Sequence, residues 1–418
     1  MIRSFACSVT LLLSCGLLAF SVSAAGLMPY TVSKLGQASQ FAQKDNLAKA
    51  IDVLKGVNTN KAYDKAFVNR VLGIYYWQAE QPQNSIKVLR QAVSAKVLEP
   101  QTQWEANRML GDVLYSQQQF SDATTEYRNA LAVKYSPSSK DKAQYQKDVN
   151  DVHFRIAAAY YQNQQWQQVR SALLQYHASD AEKRLQALQM QAIAELRLSQ
   201  WHNAESTLAQ LIRIEPNNNM WWQQLISAQL QQQHNQDALN TYALAKKQNL
   251  EFTDSDYKTL SQLYANNGIP ERGARILDEM FAAFPKTKTE ENLKTQAYYY
   301  QMGRDWKKAI SSWEGLAQRN AEYNWQLTQL YLQQKQYAKA EQVIDKAQPY
   351  AKKSDYSLAK INLLYRLEKY DDALAEAKRL NETMPSDSAH TWIVFLQNKM
   401  LKDNAAENSE VENEEASS

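Results

Sequence analysis

The sequence contains very little cysteine. Its two cysteines, Cys7 and Cys15, both fall within the first 25 residues of the 418-residue chain. The long segment that follows therefore cannot form a disulfide, a thiolate metal site or a thiol nucleophile. We expect its stability to come from packing.

Glycine and histidine are also scarce, at ten and five residues. No phosphate-binding glycine loop, dinucleotide-binding fingerprint or G-x-S-x-G nucleophile motif is present. No histidine lies within four residues of another, so the ligand spacing of a zinc site is missing as well. The sequence predicts no catalytic residue, no cofactor and no metal site, and hence a protein that is not an enzyme.

Long apolar runs are missing after residue 25, where nothing approaches the roughly 20 residues that span a membrane. The start has Arg3, an apolar run from Phe5 to Phe20 and small residues before Ala25, which predicts a secretory signal peptide over residues 1–25. The alternatives are an uncleaved membrane anchor and lipid attachment at Cys15. The bulky Leu13 and the continuing apolar run argue against the second.

Charge of either sign is not concentrated, except at the end of the chain. The net charge is +3, and residues 404–418 hold five Glu and no Lys or Arg. Such an acidic, small-residue segment predicts a disordered tail over 404–418. Elsewhere no cluster of Lys and Arg stands out from an ordinary helix surface, so we expect no nucleic-acid partner.

The sequence does contain a repeated phrase. "QYAKAEQVIDKA" begins at Gln336 and "KYDDALAEAKRL" at Lys369, and their aligned residues Ala340 and Ala373 are 33 positions apart. An aromatic or bulky residue followed by a small one recurs ten times, and a second small or apolar residue usually lies twelve positions earlier. This spacing predicts two amphipathic helices per unit. The recurring small residues are Ala50, Ser85, Ala123, Val169, Ala204, Ala238, Gly273, Ala309, Ala340 and Ala373.

The phrase "WWQQLISAQLQQQHNQDALNTYALA" resembles the tetratricopeptide repeat, a 34-residue helix–turn–helix unit. The resemblance implies an all-α fold, a right-handed superhelical solenoid of about ten helix pairs over residues 26–403. A helix from Asp387 would cap its end. Prolines close units at Pro216, Pro285 and Pro385, and the polar insertion "KYSPSSKDKAQYQKD" predicts an extended loop.

The first helices of such an array line a groove that binds protein or peptide segments. Aromatic and arginine side chains at those positions suit a binding surface, although each aromatic has packing between units as its alternative role. Mapping the groove positions of the repeat onto this chain gives Arg70, Ile74, Trp77, Arg108, Tyr115, Phe154, Tyr161, Gln223, Lys258, Gln262, Tyr298, Trp325, Tyr365 and Arg366.

Several phrases resemble a narrower family, the periplasmic tetratricopeptide proteins of marine Gram-negative bacteria that accompany TonB, ExbB and ExbD homologues. The phrases are "PYTVSK", "YDKAFVNRVLG", "NMWWQQL" and "LSQLYANNGIPERGARILDEM". This resemblance implies a periplasmic scaffold that assists TonB-dependent uptake of iron-siderophore or haem, with TonB, ExbB or ExbD proteins as partners. The alternatives are a scaffold for outer-membrane protein assembly, cell-wall synthesis or secretion, an enzyme with an unrecognised site, and a sugar-binding role suggested by the ten Trp.

Overall fold

The computed structural model describes residues 26–178 and 180–415, with side chains described up to residue 403. The predicted signal peptide and Cys15 lie outside these residues and stay predictions. Within the described ranges the regular structure is entirely helical, with three short 3₁₀ turns and no strand. None of the described helices combines the length and the apolar character that crossing a membrane requires.

The chain divides into two compact units, and the first comprises residues 1–214. Its described part holds five consecutive helix pairs. They are α1 (Pro29–Gln43), α2 (Leu47–Lys55), α3 (Ala62–Gln78), α4 (Pro82–Ser94), α5 (Pro100–Ser116), α6 (Phe120–Ala132), α7 (Lys142–Gln162), α8 (Trp166–Leu173), α9 (Ala181–Arg197) and α10 (Trp201–Ile214).

The second unit comprises residues 215–418. Its described part holds five further pairs and a final single helix, so the predicted all-α solenoid of about ten tetratricopeptide-like pairs is confirmed. The helices are α11 (Asn219–Gln231), α12 (Asn235–Lys247), α13 (Asp254–Asn266), α14 (Pro270–Ala283), α15 (Glu290–Met302), α16 (Trp306–Arg319), α17 (Asn324–Gln333), α18 (Tyr337–Ala347), α19 (Lys353–Arg366), α20 (Tyr370–Thr383) and α21 (Asp387–Glu415).

The recurring small residues lie where the two helices of a pair touch, and all ten are buried. Close approach leaves no room for a larger side chain there. A Cβ atom added to Gly111 would lie 2.6 Å from the ring of Tyr127 on the partner helix. Small residues therefore allow the two helices of each pair to approach closely.

Two pairs add a hydrogen bond at this contact. The Ser85 hydroxyl donates to the carbonyl of Gly73 at 2.7 Å, and the Ser261 hydroxyl donates to the carbonyl of Gly273 at 2.8 Å. A Cβ on Gly273 would lie 2.6 Å from the backbone oxygen of Ser261. The sequence alone suggests that Gly273 is a costly replacement for a packing alanine. The structure shows instead that the backbone approach requires glycine there.

The two helices of each pair are connected by a turn. One residue of this turn lies in the left-handed region, at φ between 55° and 78°. The N–H of the following residue donates to the carbonyl five positions earlier, as in a Schellman C-cap. Glycine, the residue best suited to this conformation, occupies one of these ten turns. The ten residues are Asp45, Glu80, Gln118, Gln164, Ser199, Gln233, Gly268, Arg304, Lys335 and Glu368.

The insertion after α6 differs from its prediction. Residues 134–141 form a loop, but α7 begins at Lys142, so the second half of the predicted loop is helix. Tyr145 in this added helical turn packs against Trp104 and Tyr135, with ring centroids 5.6 and 5.0 Å apart. Burial of an aromatic ring thus fixes a segment whose polar composition indicates a loop.

The helix α21 covers the end of the second unit. Its residues Ala389 and Leu396 are fully buried and pack in one cluster with Ile361, Ala377 and Leu380. The helix continues to Glu415, across the start of the predicted acidic tail, and the side chains from residue 404 onward are not described. The disorder of the tail therefore stays a prediction.

Candidate binding cleft

A cleft of about 830 Å³ lies in the first unit, on the first helices α3, α5 and α7 and beside the turn between α1 and α2. It brings together four of the predicted groove residues, Arg70, Ile74, Trp77 and Arg108. They meet because α3 and α5 are consecutive first helices, and residues one or two turns apart share a helix face.

Several residues of the cleft were missed by the sequence analysis. Trp104, Glu105 and Asp112 lie on α5 at helical spacing from Arg108, and that spacing was a signal that could have found them. Tyr135, Tyr145 and Asp148 come from the insertion, where a loop was expected.

Ion pairs hold the arginines of the cleft in place. Arg70 Nη2 lies 2.6 Å from Glu105 Oε2, and the Arg70 side chain is only 12% exposed. Burial lowers the pKa of Arg70, and the neighbouring Glu105 carboxylate opposes this shift. Arg108 Nη1 lies 3.8 Å from Asp148 Oδ1, a looser contact. Glu105 therefore fixes the Arg70 guanidinium, whereas the Arg108 guanidinium has more freedom.

Asp112 forms the floor of the same region. It is 3% exposed and accepts hydrogen bonds from Arg155 Nη1 at 2.7 Å and from the Tyr127 hydroxyl at 2.8 Å. Burial, and then the Asp112 charge, raises the pKa of Tyr127 well above its usual value, so this hydroxyl stays a donor. The negative charge of Asp112 is thus balanced by the Arg155 guanidinium, which does not line the cleft.

One wall of the cleft is aromatic. Trp104 meets Tyr145 edge-on, Tyr145 meets Tyr135 edge-on, and the guanidinium of Arg108 lies 5.3 Å from the Trp104 ring centroid. Trp104 is 3% exposed, and its Nε1 finds no hydrogen-bond acceptor among the described residues. A buried N–H without an acceptor carries a free-energy cost.

The remaining groove predictions of the first unit have packing contacts. Phe154 is buried with its ring centroid 5.1 Å from that of Tyr176, so it supports the core rather than an open surface. Tyr115 lies edge-on to Phe120. Tyr161 lies in the same way against Trp166. These contacts favour the packing alternative for all three.

The groove predictions of the second unit are not gathered in a described pocket. A pocket of about 450 Å³ on α14, α15 and α16 contains none of them. Tyr365 packs with Tyr370, Trp392 and Phe395 in an aromatic cluster under α21. Trp325 is half-buried. The other groove predictions of this unit are exposed, and they are Gln223, Lys258, Gln262, Tyr298 and Arg366.

Comparison with protein families gives two matches. Residues 70–139 match a tetratricopeptide repeat model, and residues 138–251 match the model described as bacterial transcriptional activator domain. Each match spans less than half of the chain. The first supports the tetratricopeptide resemblance, and such repeats form protein-interaction scaffolds.

Solved structures with similar folds share little sequence with this chain. A tetratricopeptide repeat protein from Parabacteroides merdae is 14% identical; the alignment covers 64% of this chain and 98% of that one, with a TM-score of 0.33. The C-terminal part of a repeat protein from Cytophaga hutchinsonii is 15% identical, with 68% and 95% covered and a TM-score of 0.34. MamA from Desulfovibrio magneticus is 14% identical, with 45% and 96% covered and a TM-score of 0.32. Comparison with curated protein sequences gives no match.

Proposed function

We propose that this chain is a periplasmic scaffold that binds segments of partner proteins in the cleft of its first unit. The observation that carries this proposal is the cleft itself, where Arg70, Trp77, Trp104 and Arg108 converge from two consecutive first helices. Arginine and tryptophan dominate the binding energy of protein interfaces when they are held in place and partly shielded from water.

The chemistry of the cleft favours binding over catalysis. Its described lining contains no His, Cys, Ser, Thr or Lys, so it offers no serine, threonine, cysteine or lysine nucleophile and no histidine base. Its most buried carboxylate, Asp112, is engaged by Arg155 and Tyr127. Side chains that are held in place before a ligand arrives lose little conformational entropy when it binds.

The finer part of the proposal is a role beside a TonB-type system. It is supported by the resemblance of phrases such as "YDKAFVNRVLG" and by the predicted signal peptide over residues 1–25. In this role the scaffold assists energy transduction to receptors that take up iron-siderophore or haem. The competing role is a scaffold for outer-membrane protein assembly, cell-wall synthesis or secretion.

Site-specific photo-crosslinking in the periplasm of the producing cell tests both levels of the proposal. A photoreactive residue replaces Gln144, which is exposed in the cleft, or Gln91, which is exposed on α4 outside it. We expect a crosslinked partner from position 144 and none from position 91.

The identity of the partner separates the two roles. A TonB, ExbB or ExbD homologue supports the first, and an assembly, cell-wall or secretion protein supports the second. Absence of a crosslink at 144, or equal crosslinking at 91, would contradict binding through the cleft.

A further inference from the structure

The cleft has a charge opposite to that of the chain as a whole. The chain carries a net charge of +3, yet five carboxylates line the cleft against two guanidiniums. The carboxylates belong to Asp45, Glu105, Asp112, Asp141 and Asp148, and the guanidiniums to Arg70 and Arg108. A concave wall with an excess of one charge attracts ligands of the other sign.

The excess lies at the mouth of the cleft rather than at its floor. Glu105 is paired with Arg70, and Asp112 with Arg155, so these two charges are compensated. Asp45 and Asp141 are exposed, and neither forms an ion pair within the described residues. Asp148 Oδ1 accepts a hydrogen bond from the Gln144 amide at 2.9 Å and lies 3.8 Å from Arg108, so its negative charge is only loosely balanced.

Aromatic rings stand beside these carboxylates. Trp77, Tyr135 and Tyr145 line the same cleft, and Tyr135 and Tyr145 come from the insertion that carries Asp141 and Asp148. A ring face next to a carboxylate suits the side chain of Lys or Arg, because the ring attracts the cation while the carboxylate pairs with it. The insertion therefore supplies both elements of a cation-binding wall.

We infer that the cleft binds an extended, cationic protein segment, with Lys or Arg side chains between its aromatic wall and Asp45, Asp141 and Asp148. This inference rests on the proposed function and adds the chemistry of the partner. The acidic segment 404–418 has the wrong charge to occupy the cleft itself.

Three labelled peptides of about ten residues, about 33 Å when extended, test the inference. They are a Ser-Lys repeat, a Ser-Glu repeat and a Ser-Gln repeat of equal length, titrated with the full chain by fluorescence anisotropy. We expect the Ser-Lys peptide to bind most tightly and to weaken as salt increases. The net positive charge of the chain favours the Ser-Glu peptide, so this order cannot arise from overall charge.

A matched pair of double variants locates the binding. Asp45→Asn with Asp148→Asn removes two charges from the cleft, and Asn tolerates the left-handed backbone at position 45, where φ is 56°. Asp371→Asn with Asp372→Asn removes two exposed charges from α20. We expect about a three- to tenfold loss of Ser-Lys affinity for the first variant, as two solvent-accessible ion pairs would give, and no loss for the second.

The outcomes separate the inference from the proposed function. Equal binding of all three peptides, tighter binding of Ser-Glu, or no binding of Ser-Lys would overturn the inference. So would Ser-Lys binding that survives the cleft substitutions, because the peptide would then bind elsewhere, for example at the acidic segment. A partner crosslinked at position 144 would keep the proposed function in each of these cases.

Discussion

The two units share one helix-pair plan but join their neighbouring pairs with different polar chemistry. The first unit joins consecutive first helices to one another, and one further ion pair, Arg170–Glu195, joins the second helix α8 to α9. The second joins the second helix of each pair to the first helix of the next. This difference decides which polar groups remain available for a partner.

In the first unit every junction between consecutive first helices contains a carboxylate. The Thr31 hydroxyl of α1 donates to Asp64 of α3 at 2.5 Å. Further junctions are made by charged pairs whose N–O distances range from 2.6 to 3.8 Å. They are Arg70–Glu105 between α3 and α5, Arg108–Asp148 and Arg155–Asp112 between α5 and α7, and Lys183–Asp151 between α7 and α9.

In the second unit the four junctions between successive pairs each contain a tyrosine–carboxylate hydrogen bond. In three of them a lysine ammonium also lies over the tyrosine ring, 4.9 Å from its centroid at Tyr300. The four bonds are Tyr242–Asp256, Tyr300–Asp278, Tyr331–Glu314 and Tyr356–Asp345. These tyrosines are buried and their hydroxyl groups already donate to carboxylates, so the hydroxyl groups are not available to a partner protein.

The contrast shows how one repeat can serve two tasks. Arginine–carboxylate pairs on the first helices stiffen the first unit while they leave charge and ring faces on its cleft. Tyrosine–carboxylate bonds between pairs stiffen the second unit from within. This contrast supports the proposal that partners bind to the first unit, and five predictions follow in order of decreasing effect.

Breaking the partly buried Arg70–Glu105 ion pair of the first unit should have the largest effect. Glu105→Ala leaves the Arg70 guanidinium, which is 12% exposed, without its partner, and we expect the free energy of unfolding to fall by about 2–4 kcal/mol. Urea unfolding followed by tryptophan fluorescence measures this change. Glu341→Ala, which breaks the exposed pair with Lys369, is the control and should change stability little. Equal losses in the two variants would contradict the importance of burial.

Adding a methyl group at one close helix contact in each unit should distinguish the units next. At Gly273 the new Cβ meets the backbone oxygen of Ser261, whereas at Gly73 it meets the Leu89 side chain, which can shift. We expect Gly273→Ala to cost about 2–3 kcal/mol and Gly73→Ala about 1–2 kcal/mol, as overpacking does.

Gly315→Ala is the control for both, because nothing lies within 4 Å of its new Cβ. This change should instead stabilise α16 by about 0.5–1 kcal/mol, the usual gain of alanine over glycine within a helix. Thermal melting of the three variants gives the order, and a stabilised Gly273→Ala would show that the backbone contact can open.

High pH should weaken the tyrosine–carboxylate junctions of the second unit before the arginine–carboxylate junctions of the first. Burial, and then the bond to Glu314, raises the pKa of Tyr331 above 10.0, so the folded state holds this proton more tightly than the unfolded chain. Stability from such groups is present below pH 10 and is lost as the pH rises above it. The arginines that join first helices stay charged throughout this range.

Hydrogen exchange above pH 10, compared between α17 and α4, which carries no tyrosine, reads out this difference. Tyr331→Phe should cost about 1 kcal/mol near neutrality and make α17 less sensitive to high pH. Earlier loss of protection in α4 would contradict the assignment.

Two tryptophans of the predicted groove should behave differently. Trp77 lines the cleft and packs partly on the core of the first unit, so Trp77→Ala should lower both the melting temperature and partner capture. Trp325 is half-buried outside the described pockets, and Trp325→Ala should change melting little. Ala238→Phe, which overpacks a fully buried contact by about 1–3 kcal/mol, is the reference for a core defect. If Trp325→Ala melted as early as this reference, Trp325 would be a core residue.

Loosening one left-handed turn should have the smallest effect. Ser199→Gly relieves a φ of 55° at the turn that closes the fifth pair. We expect a gain of at most about 1 kcal/mol, because glycine also gives the unfolded chain more freedom. The matched change Gly268→Ala, at a φ of 78°, should lower the free energy of unfolding. Urea unfolding of the two variants measures both changes.

The helix pairs were predictable because small residues at fixed spacing have one physical use, the close approach of two helices. The cleft was only half predictable. Arg70 and Trp77 follow from repeat position, whereas Tyr145 depends on a helical turn that a polar insertion does not indicate. Burial against Trp104 decides that turn, and burial is a tertiary effect.

The junctions of the second unit left a signal in the sequence that was not used. An acidic residue follows the recurring small residue by five positions at Asp278, Glu314 and Asp345. The same position in the third pair is Arg128, whose guanidinium lies 5.5 Å from the Tyr160 ring centroid. The position therefore faces the next pair in both units, and only its charge differs.

The turns that close the helix pairs have a consequence for how this chain could be altered. Nine of the ten hold a side-chain-bearing residue in a conformation that costs such residues roughly 1 kcal/mol each. Most of these turns lie far apart along the array, so changes at them should add nearly independently. Asp45 lines the cleft, but at the other eight turns stability could be raised in small steps, one turn at a time, without changing a residue of the cleft lining. The melting temperature of the protein could therefore be raised gradually by combining such substitutions.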